Sequence, residues 1–247
     1  MKFEDIYILG TGKVLKMCQK IAEDFFNQKV IFISDAQLNL DIFFNQLKNC
    51  LIISANNFYI FKKQCVLNNT IINYHNALLP KHKGCNAHLW SIWEDDKESG
   101  ISWHLIDENI DTGAILTQKT IKIEHDFTAF KLLQIQHKLA IDSFIETLRN
   151  LQNNKLKFQQ NDEGGGYHKK SELPNNGFLN LSWSKEKISR FLRAMDCGAL
   201  SGLAKPKIKI FDNNLEILFY QINKFDLILN LSNNTILKIT KDENANC

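Results

Sequence analysis

The strongest constraint on the fold comes from the first 75 residues, in which short apolar runs alternate with segments whose apolar side chains recur at helical spacing. The runs lack a polar face, which is typical of strands buried on both sides in a parallel sheet. Four such strands are predicted, at Ile6–Leu9, Lys29–Ser34, Cys50–Ser54 and Thr70–Asn73. This alternation predicts an α/β fold with a Rossmann-like, mostly parallel sheet.

Later segments extend this pattern and then change it. Further strands are predicted at Ile101–Ile106 and Ala114–Ile123, and helices at Leu40–Leu47, Phe58–Gln64, Asn86–Trp93, Phe127–Leu151 and Lys185–Met195. Lys207–Ile239 instead shows short alternating apolar segments separated by Asn turns, which predicts a small antiparallel β unit. We therefore expect a main domain over residues 1–176, followed by a helix and a small, mainly β domain over residues 177–247.

Composition and patterning argue against several classes of protein. The chain has 247 residues and a net charge of +3, without a stripe of Lys and Arg interleaved with aromatics, so no nucleic-acid partner is expected. Its longest apolar runs are too short to cross a membrane, and its first residues lack the apolar core of a signal peptide. The six cysteines form neither Cys-x-x-Cys nor a Cys/His cluster. We therefore expect no metal site, no disulfide framework and a cytoplasmic protein with reduced thiols.

Gly10 and Gly12 follow the first predicted strand and precede a helix, as glycines do in the dinucleotide-binding fingerprint. That fingerprint requires a third Gly or Ala where this chain has Leu15, which argues against nicotinamide binding. The alternative is the tight turn between strand and helix that occurs in any doubly wound sheet.

Polar side chains follow the fourth predicted strand. In open α/β sheets, ligands bind at the carboxyl ends of the strands. Asn73 and His75 are two residues apart, so on an extended segment both point to the same side. A neutral amide donor beside an imidazole can stabilise a developing oxyanion and move a proton. The alternative for His75 alone is a strand-end histidine in a structural hydrogen bond.

Three motifs occur in order, namely Asn73-Tyr74-His75, Leu78-Leu79-Pro80-Lys81-His82-Lys83-Gly84 and Asp111-Thr112-Gly113. This pattern resembles the formyltransferases that use N10-formyltetrahydrofolate, in detail from about Ile71 to Leu116. The resemblance implies a catalytic trio of Asn73, His75 and Asp111. In this trio Asn73 donates to the oxyanion, while Asp111 raises the pKa of His75 and accepts a proton. For Asp111 alone, the alternative is an ordinary turn residue before Thr-Gly.

The same resemblance implies where the reduced folate binds. A pterin requires an apolar slot and backbone hydrogen bonds. The residues that the resemblance assigns to this slot are Leu78, Pro80, Asp107, Glu108, Asn109 and Ile110.

The stretch Trp183–Asp196, joined to the short β tail, is similar to the sugar N-formyltransferases. This resemblance implies that the acceptor is the amine of a dTDP-linked amino-dideoxysugar, such as dTDP-4-amino-4,6-dideoxyglucose, used for O-antigen or a related glycan. It also implies a homodimer formed through the C-terminal unit. The candidate acceptor-binding residues are Lys81, Arg190 and Arg193 for a pyrophosphate, and Tyr167 of the glycine-rich segment Glu163–Lys170 for the substrate groove.

Two alternatives remain open. The segment Ala199–Pro206 departs from the sugar enzymes, and a similar arrangement occurs in formyltransferase domains that act on carrier-bound amino acids. The first alternative is therefore an acceptor that carries a carrier-bound or tRNA-bound aminoacyl group. The second is a non-catalytic folate- or nucleotide-binding module on the same fold, against which the complete Asn73, His75 and Asp111 trio argues.

Overall fold

The computed structural model describes residues 2–34, 39–159, 166–198, 203–223 and 226–240. The chain divides into two compact units. The first comprises Met1–Ala87, Glu98–Lys122 and Leu133–His168, and the second comprises His88–Lys97, Ile123–Leu132 and Lys169–Cys247. The expected domain division after residue 176 stays a prediction.

The first unit contains a six-stranded sheet. Its strands are β1 (Ile6–Gly10), β2 (Val30–Phe32), β3 (Leu51–Ala55), β4 (Thr70–His75), β6 (Glu98–Leu105) and β7 (Ile115–Lys122), in the spatial order β2-β1-β3-β4-β6-β7. Strands β1 to β4 run parallel, whereas β6 is antiparallel to β4 and β7 is antiparallel to β6. A separate two-stranded parallel pair is formed by β5 (Lys83–Gly84) and β8 (Tyr167–His168). The predicted mostly parallel sheet is therefore confirmed.

Helices α1 (Gly12–Phe26), α2 (Leu40–Gln46), α3 (Lys63–Asn68) and most of α5 (Ala129–Gln152) belong to the same unit. Successive side chains of β1 lie in different hydrophobic clusters. Ile6 and Ile8 pack in a cluster that includes Phe144 of α5, whereas Tyr7 and Leu9 pack in a cluster that includes Phe44 of α2. Because β1 is buried on both faces, its sequence is apolar at every position rather than at alternate ones.

Gly10 allows the end of β1 to approach β3 closely. It has a φ of +147°, and a Cβ added there would lie 1.8 Å from the carbonyl oxygen of Ala55. A larger residue would separate the two strands, so this glycine has a structural role that requires no bound nucleotide.

The prediction of a helix over Phe58–Gln64 is wrong for most of its length. Residues 57–62 have no regular secondary structure, and α3 begins only after them. Tyr59 and Phe61 pack against Phe44, with ring centroids 5.4 and 5.2 Å from that of Phe44, whereas Phe58 and Ile60 are exposed. Alternate burial is the period of an extended chain, so the packing of two aromatic rings overrides the helical pattern.

The second unit contains most of α4 (Ala87–Trp93), α6 (Lys185–Met195), a 3-10 turn at Pro174–Gly177 and a five-stranded sheet. The strands are β9 (Phe178–Leu179), β10 (Lys207–Ile210), β11 (Asn213–Ile222), β12 (Asp226–Leu231) and β13 (Ile236–Thr240), in the order β13-β12-β11-β10-β9. Strands β10 to β13 pair antiparallel, which confirms the predicted β unit, and β9 pairs parallel with β10. Helix α6 matches its predicted bounds, and its N-cap Ser184 accepts a hydrogen bond from the backbone N–H of Lys187.

Leu218, Phe219 and Ile236 of this sheet are 49%, 56% and 68% exposed. A homodimer through the C-terminal unit would remove such apolar surface from water. The homodimer stays a prediction.

Several sequence features lie wholly or partly outside the described residues, namely Glu163–Lys170, Ala199–Pro206 and the tail Lys241–Cys247. Among the described residues, Cys18, Cys50, Cys65, Cys85 and Cys197 form no disulfide. Within the described part of the chain, none of the helices combines the length and the apolarity needed to cross a bilayer.

The core of the first unit predicts a stability difference between two phenylalanines. Phe144 is fully buried with its ring 4.7 Å from that of Trp103, so Phe144→Ala should lower the free energy of unfolding by about 3–5 kcal/mol. Phe158 is 77% exposed, so Phe158→Ala should change it by less than about 0.5 kcal/mol. Urea denaturation followed by circular dichroism measures both values, and similar losses in the two variants would contradict the assignment of the core.

Candidate active site

The candidate site is built on β4, which carries two of the predicted catalytic residues. Asn73 lies beside Ser54 of β3 and His104 of β6 in the sheet. His75 is the last residue of β4, and its side chain is buried with 5% exposure. Because the two residues are two positions apart on a strand, Asn73 and His75 present their side chains to the same side of the sheet.

The loop between β6 and β7 brings Asp111 to the end of β4. Its Oδ2 lies 3.4 Å from Nδ1 of His75, and its Oδ1 lies 3.4 Å from Nε2 of His104. The same Oδ2 accepts a 2.7 Å hydrogen bond from the backbone N–H of Gly84. One carboxylate therefore contacts the Asn-x-His strand, the glycine of the Leu-Leu-Pro-Lys-x-x-Gly motif and a neighbouring strand.

The path of this loop depends on Gly113 and Gln159. A Cβ added at Gly113 would lie 1.9 Å from the carbonyl oxygen of Leu105, so only glycine allows the loop to pass this close to β6. The amide of Gln159 donates to the carbonyl oxygens of Asp111 at 3.1 Å and Gly113 at 2.7 Å. Asp111 itself has a φ of 55°, a left-handed conformation that Asp adopts more readily than most residues.

His104 is a functional candidate that the sequence analysis does not include. It is 1% exposed, and its Nδ1 donates to the carbonyl oxygen of Leu105 at 2.8 Å while its Nε2 lies 3.1 Å from Nδ2 of Asn73. The signal in the sequence is a histidine near the end of a predicted strand that runs into the Asp-Thr-Gly loop. Using this signal requires the antiparallel register between β4 and β6, which the parallel pattern of the earlier strands does not predict.

His75 is oriented by the backbone of the loop that follows β4. Its Nε2 lies 2.9 Å from the carbonyl oxygen of His82, and because a carbonyl can only accept, Nε2 donates the hydrogen. The His82 ring is in turn stacked on that of His168 at 5.4 Å, with Nδ1 of His82 3.1 Å from Nε2 of His168. The second ring nitrogen of His75, Nδ1, is thereby directed towards Asp111.

The electrostatics of this pair correct one sequence-based expectation. Burial lowers the pKa of His75, and although Asp111 opposes that shift, the net direction is downward. The expectation of a raised pKa for His75 is therefore wrong, because loss of hydration outweighs one carboxylate. Burial would raise the pKa of Asp111, but the neighbouring imidazoles of His75 and His104 and the N–H of Gly84 bring it well below its usual range.

The folate-binding residues predicted after β4 lie in a loop fixed by β6. The Leu79–Pro80 peptide bond is cis, and the N–H of Leu79 donates to Oγ of Ser102 at 3.0 Å. Leu78 packs over Gly100, where an added Cβ would lie 2.7 Å from its Cδ2. The contact of Leu78 and Pro80 with a folate stays a prediction.

The second set of predicted folate-binding residues lies in the loop before Asp111. Oδ1 of Asp107 accepts hydrogen bonds from the N–H of Asn109 at 3.2 Å and from the hydroxyl of Thr112 at 2.6 Å. Glu108 is exposed, and Ile110 is 40% exposed. Their part in folate binding also stays a prediction.

The predicted acceptor-binding residues are divided between the two units. Lys81 is exposed in the loop after Pro80, and Tyr167 is 50% exposed on β8, where it pairs with Lys83. Both belong to the first unit, as does the Asn73, His75 and Asp111 group.

Arg190 and Arg193 lie on α6 in the second unit. Nη1 of Arg190 is 3.6 Å from Oδ2 of Asp95, and Arg193 donates to the carbonyl oxygen of Phe127 at 2.8 Å and to Oγ of Ser189 at 3.3 Å. Burial lowers the pKa of the Arg193 guanidinium. Their role in pyrophosphate binding stays a prediction.

Sequence comparison matches the part of the chain that holds this site. Residues 51–148 match the formyl transferase family model. A GDP-perosamine N-formyltransferase from Brucella melitensis is 40% identical over 124 residues, which are 50% of this chain and 47% of the relative. A methionyl-tRNA formyltransferase from Desulfotalea psychrophila is 29% identical over 125 residues, which are 51% of this chain and 39% of that protein. The chain thus matches about half, or less, of the length of these relatives.

Solved structures share the fold over most of the chain. An N-formyltransferase from Helicobacter canadensis, in complex with folinic acid and dTDP-3-aminofucose, has a TM-score of 0.72 at 18% identity and covers 96% of this chain and 99% of its own. A sugar N-formyltransferase from a Shewanella species has a TM-score of 0.71 at 22% identity, with 89% and 99% covered. Residues 51–148 thus match the formyl transferase family, and the chain shares its fold with sugar N-formyltransferases.

Proposed function

We propose that this chain transfers the formyl group of N10-formyltetrahydrofolate to the amine of a nucleotide-linked amino sugar. The observation that carries the proposal is the cluster at the carboxyl end of β4, in which Asp111 lies 3.4 Å from both His75 and His104, and His104 lies 3.1 Å from Asn73. All four residues lie within the segment that matches the formyl transferase family. A relative named for formylation of a nucleotide-linked sugar, at 40% identity, supports this class of acceptor.

Asn73 stabilises the oxyanion in the proposed mechanism. Attack of an amine on a formyl carbon places negative charge on the formyl oxygen, and a donor about 3 Å away lowers the energy of that state. The Nδ2 atom of Asn73 supplies two N–H groups, and His104 accepts one of them at 3.1 Å. The second N–H is the donor that we assign to the oxyanion.

His75 and Asp111 handle the proton that the attacking amine loses. The Nε2–H of His75 is committed to the carbonyl of His82, so the lone pair of Nδ1 is the proton-accepting position. A proton on Nδ1 creates an imidazolium 3.4 Å from the ionised carboxylate of Asp111, which stabilises it. His75 then returns this proton to the donor nitrogen as the bond between that nitrogen and the formyl carbon breaks, which releases tetrahydrofolate. The lowered pKa of His75 keeps the ring neutral, and so able to accept a proton, at neutral pH.

The folate donor would supply an activated formyl carbon. Leu78 and Pro80 offer apolar surface, and the hydrogen-bonded turn at Asp107 presents backbone groups from Glu108 to Ile110. These groups suit a planar heterocycle with polar edges, which an apolar slot lined by backbone donors and acceptors can bind.

The proposal also specifies which nucleotide the acceptor sugar carries. The sequence predicts a dTDP sugar, whereas the 40% identical relative is named for a GDP sugar. The Helicobacter structure, which holds dTDP-3-aminofucose, shares the fold at 18% identity. We retain a dTDP-linked amino-dideoxysugar as the proposed acceptor, with a GDP-linked sugar as the direct competitor.

The catalytic assignment predicts a large loss of rate in two variants. His75→Ala and Asp111→Ala should each lower kcat by about 10²–10⁴-fold, because each side chain takes part in proton transfer. The matched control is His125→Ala, since His125 is exposed and should leave kcat within about twofold. The assay measures tetrahydrofolate release with each acceptor, and circular dichroism checks the fold. Near-normal turnover of a folded His75→Ala variant would refute the assignment.

The lowered pKa of His75 predicts the acid limb of the rate profile. Free histidine titrates near pH 6.5, so kcat should rise with pH and the His75 limb should lie below about 6.5. Asp111→Asn removes the charge that opposes the effect of burial, so the pKa of His75 falls further. The acid limb should therefore move to lower pH, and kcat on the plateau should be reduced. The measurement is kcat against pH with chemistry shown to be limiting. An acid limb that moves to higher pH in Asp111→Asn would contradict the proposed pairing.

A panel of acceptors with a lysine variant tests the substrate class. dTDP-, GDP- and UDP-linked amino sugars, an aminoacyl carrier protein and methionyl-tRNA are each assayed as acceptors.

Lys81→Ala should raise KM for the sugar nucleotide about tenfold and leave KM for the folate within about twofold, because a pyrophosphate binds cations and a pterin does not. Lys20→Ala, an exposed substitution on α1, is the control. Formylation of only the carrier or tRNA acceptor would replace the sugar proposal, and an inert protein that binds folate would indicate a binding module.

A further inference from the structure

A chain of side-chain hydrogen bonds crosses three neighbouring strands at the level of Asn73. Nδ2 of Asn57 lies 2.6 Å from Oγ of Ser54, and Oγ of Ser54 lies 2.5 Å from Oδ1 of Asn73. Nδ2 of Asn73 lies 3.1 Å from Nε2 of His104. Ser54, Asn73 and His104 are register partners on β3, β4 and β6, so the sheet itself aligns them.

Backbone groups constrain the hydrogen positions at both ends of this series of bonds. At one end, the N–H of Tyr59 donates to Oδ1 of Asn57 at 2.7 Å, which leaves Nδ2 of Asn57 facing Ser54. At the other end, the carbonyl oxygen of Leu105 can only accept, so Nδ1 of His104 carries a hydrogen. Nε2 of a neutral His104 accepts from Asn73, whereas a hydrogen on Nε2 would be donated to Oδ1 of Asp111, 3.4 Å away.

The orientation of the Asn73 amide follows from these two ends. Oγ of Ser54 accepts a hydrogen from Asn57 and donates its own hydroxyl hydrogen to Oδ1 of Asn73, so the atom that Asn73 presents to β3 is the oxygen. The amide nitrogen is then directed to His104. A flipped Asn73 amide would place its NH₂ group against the Ser54 oxygen, which already accepts one hydrogen, and its oxygen against the Nε2 lone pair of His104.

We infer that Ser54 and Asn57 are positioning residues that set the donor direction of the Asn73 amide. The inference rests on the proposed function for its kinetic consequence, since Asn73 is the proposed oxyanion donor. Ser54 is 2% exposed, so water has little room to replace its hydroxyl if the side chain is shortened. Neither residue needs to touch the substrate for this role.

The isosteric substitution Asn57→Asp reverses the direction of the hydrogen bond between residue 57 and Ser54. In Asn57→Asp, one carboxylate oxygen still accepts from Tyr59, but the other now accepts from Ser54, whose hydroxyl hydrogen is withdrawn from Asn73. We expect kcat to fall by about 10- to 100-fold, which is less than the roughly 10²–10³-fold loss when an oxyanion donor is removed outright, while both KM values stay within about twofold. Asn56→Asp introduces the same charge one residue away and outside the chain, so it should leave kcat within about twofold. Equal effects of the two substitutions would overturn the inference.

Ser54 provides a second test through its coupling to Asn73. Ser54→Ala should lower kcat to a similar extent, and Ser54→Thr, which keeps the hydroxyl, should restore most of it. In an Asn73→Ala background, Ser54→Ala should have no further effect, because the group that it positions is absent. A full additional loss in that background would show that Ser54 acts by another route and would refute the inference.

Histidine nitrogen NMR separates this inference from the proposed function. The His104 ring should be protonated at Nδ1 in the wild-type protein, and its Nε2 resonance should shift in Asn57→Asp and Ser54→Ala but not in Asn56→Asp. His104→Gln assigns the resonance by its loss. If these shifts occur in a protein that formylates none of the acceptors, the hydrogen-bond series is supported and the proposed function is refuted. Active enzyme in which His104 is protonated at Nε2 would sink the inference alone.

Discussion

The buried carboxylate of Asp111 is the interaction on which the site depends. A charge removed from water is stable only if it gains partners of opposite charge or hydrogen-bond donors. Here the N–H of Gly84 donates to Oδ2, and the imidazoles of His75 and His104 lie 3.4 Å from the carboxylate, so that a proton on the facing nitrogen of either ring would place positive charge beside it. Each belongs to a different stretch of the first unit, so satisfying one charge requires β4, β6 and the loop that contains β5 to meet at one point. The glycine at 113 and the two bonds from Gln159 then serve to deliver the carboxylate to that point.

Much of the fold could be predicted because its strands are buried on both faces. An apolar run without alternation is a strong signal, and β1, β3 and β4 all carry it. The segment 57–62 could not be predicted in this way, since its conformation depends on Phe44, a residue distant in sequence that accommodates Tyr59 and Phe61. The local sequence pattern predicts a helix there, but packing against Phe44 holds the segment in an extended conformation.

In the candidate site, too, residues in local motifs could be predicted, whereas features that depend on tertiary contacts could not. Asn73, His75 and Asp111 could be found from motifs because their spacing along the chain is recognisable. His104 could not, because its place beside Asn73 depends on the antiparallel pairing of β6. The direction of the pKa shift of His75 also escaped the sequence, since it depends on how completely the ring is buried. The match to known formyltransferases covers residues 51–148. It includes the candidate catalytic residues Asn73, His75 and Asp111 and also Lys81, but none of Tyr167, Arg190 and Arg193. It therefore bears on the reaction more than on the acceptor.

The bond between His75 and the carbonyl of His82 has an evolutionary consequence. A main-chain carbonyl is present whichever amino acid occupies position 82, so no substitution there removes the acceptor that sets the tautomer of the His75 imidazole. Comparison of residue identities across homologous proteins would give this contact no weight, however essential it is. Insertions and deletions are the changes that threaten it, because they alter the route of the loop. Selection on this part of the site should therefore act on loop length and backbone conformation rather than on side-chain identity.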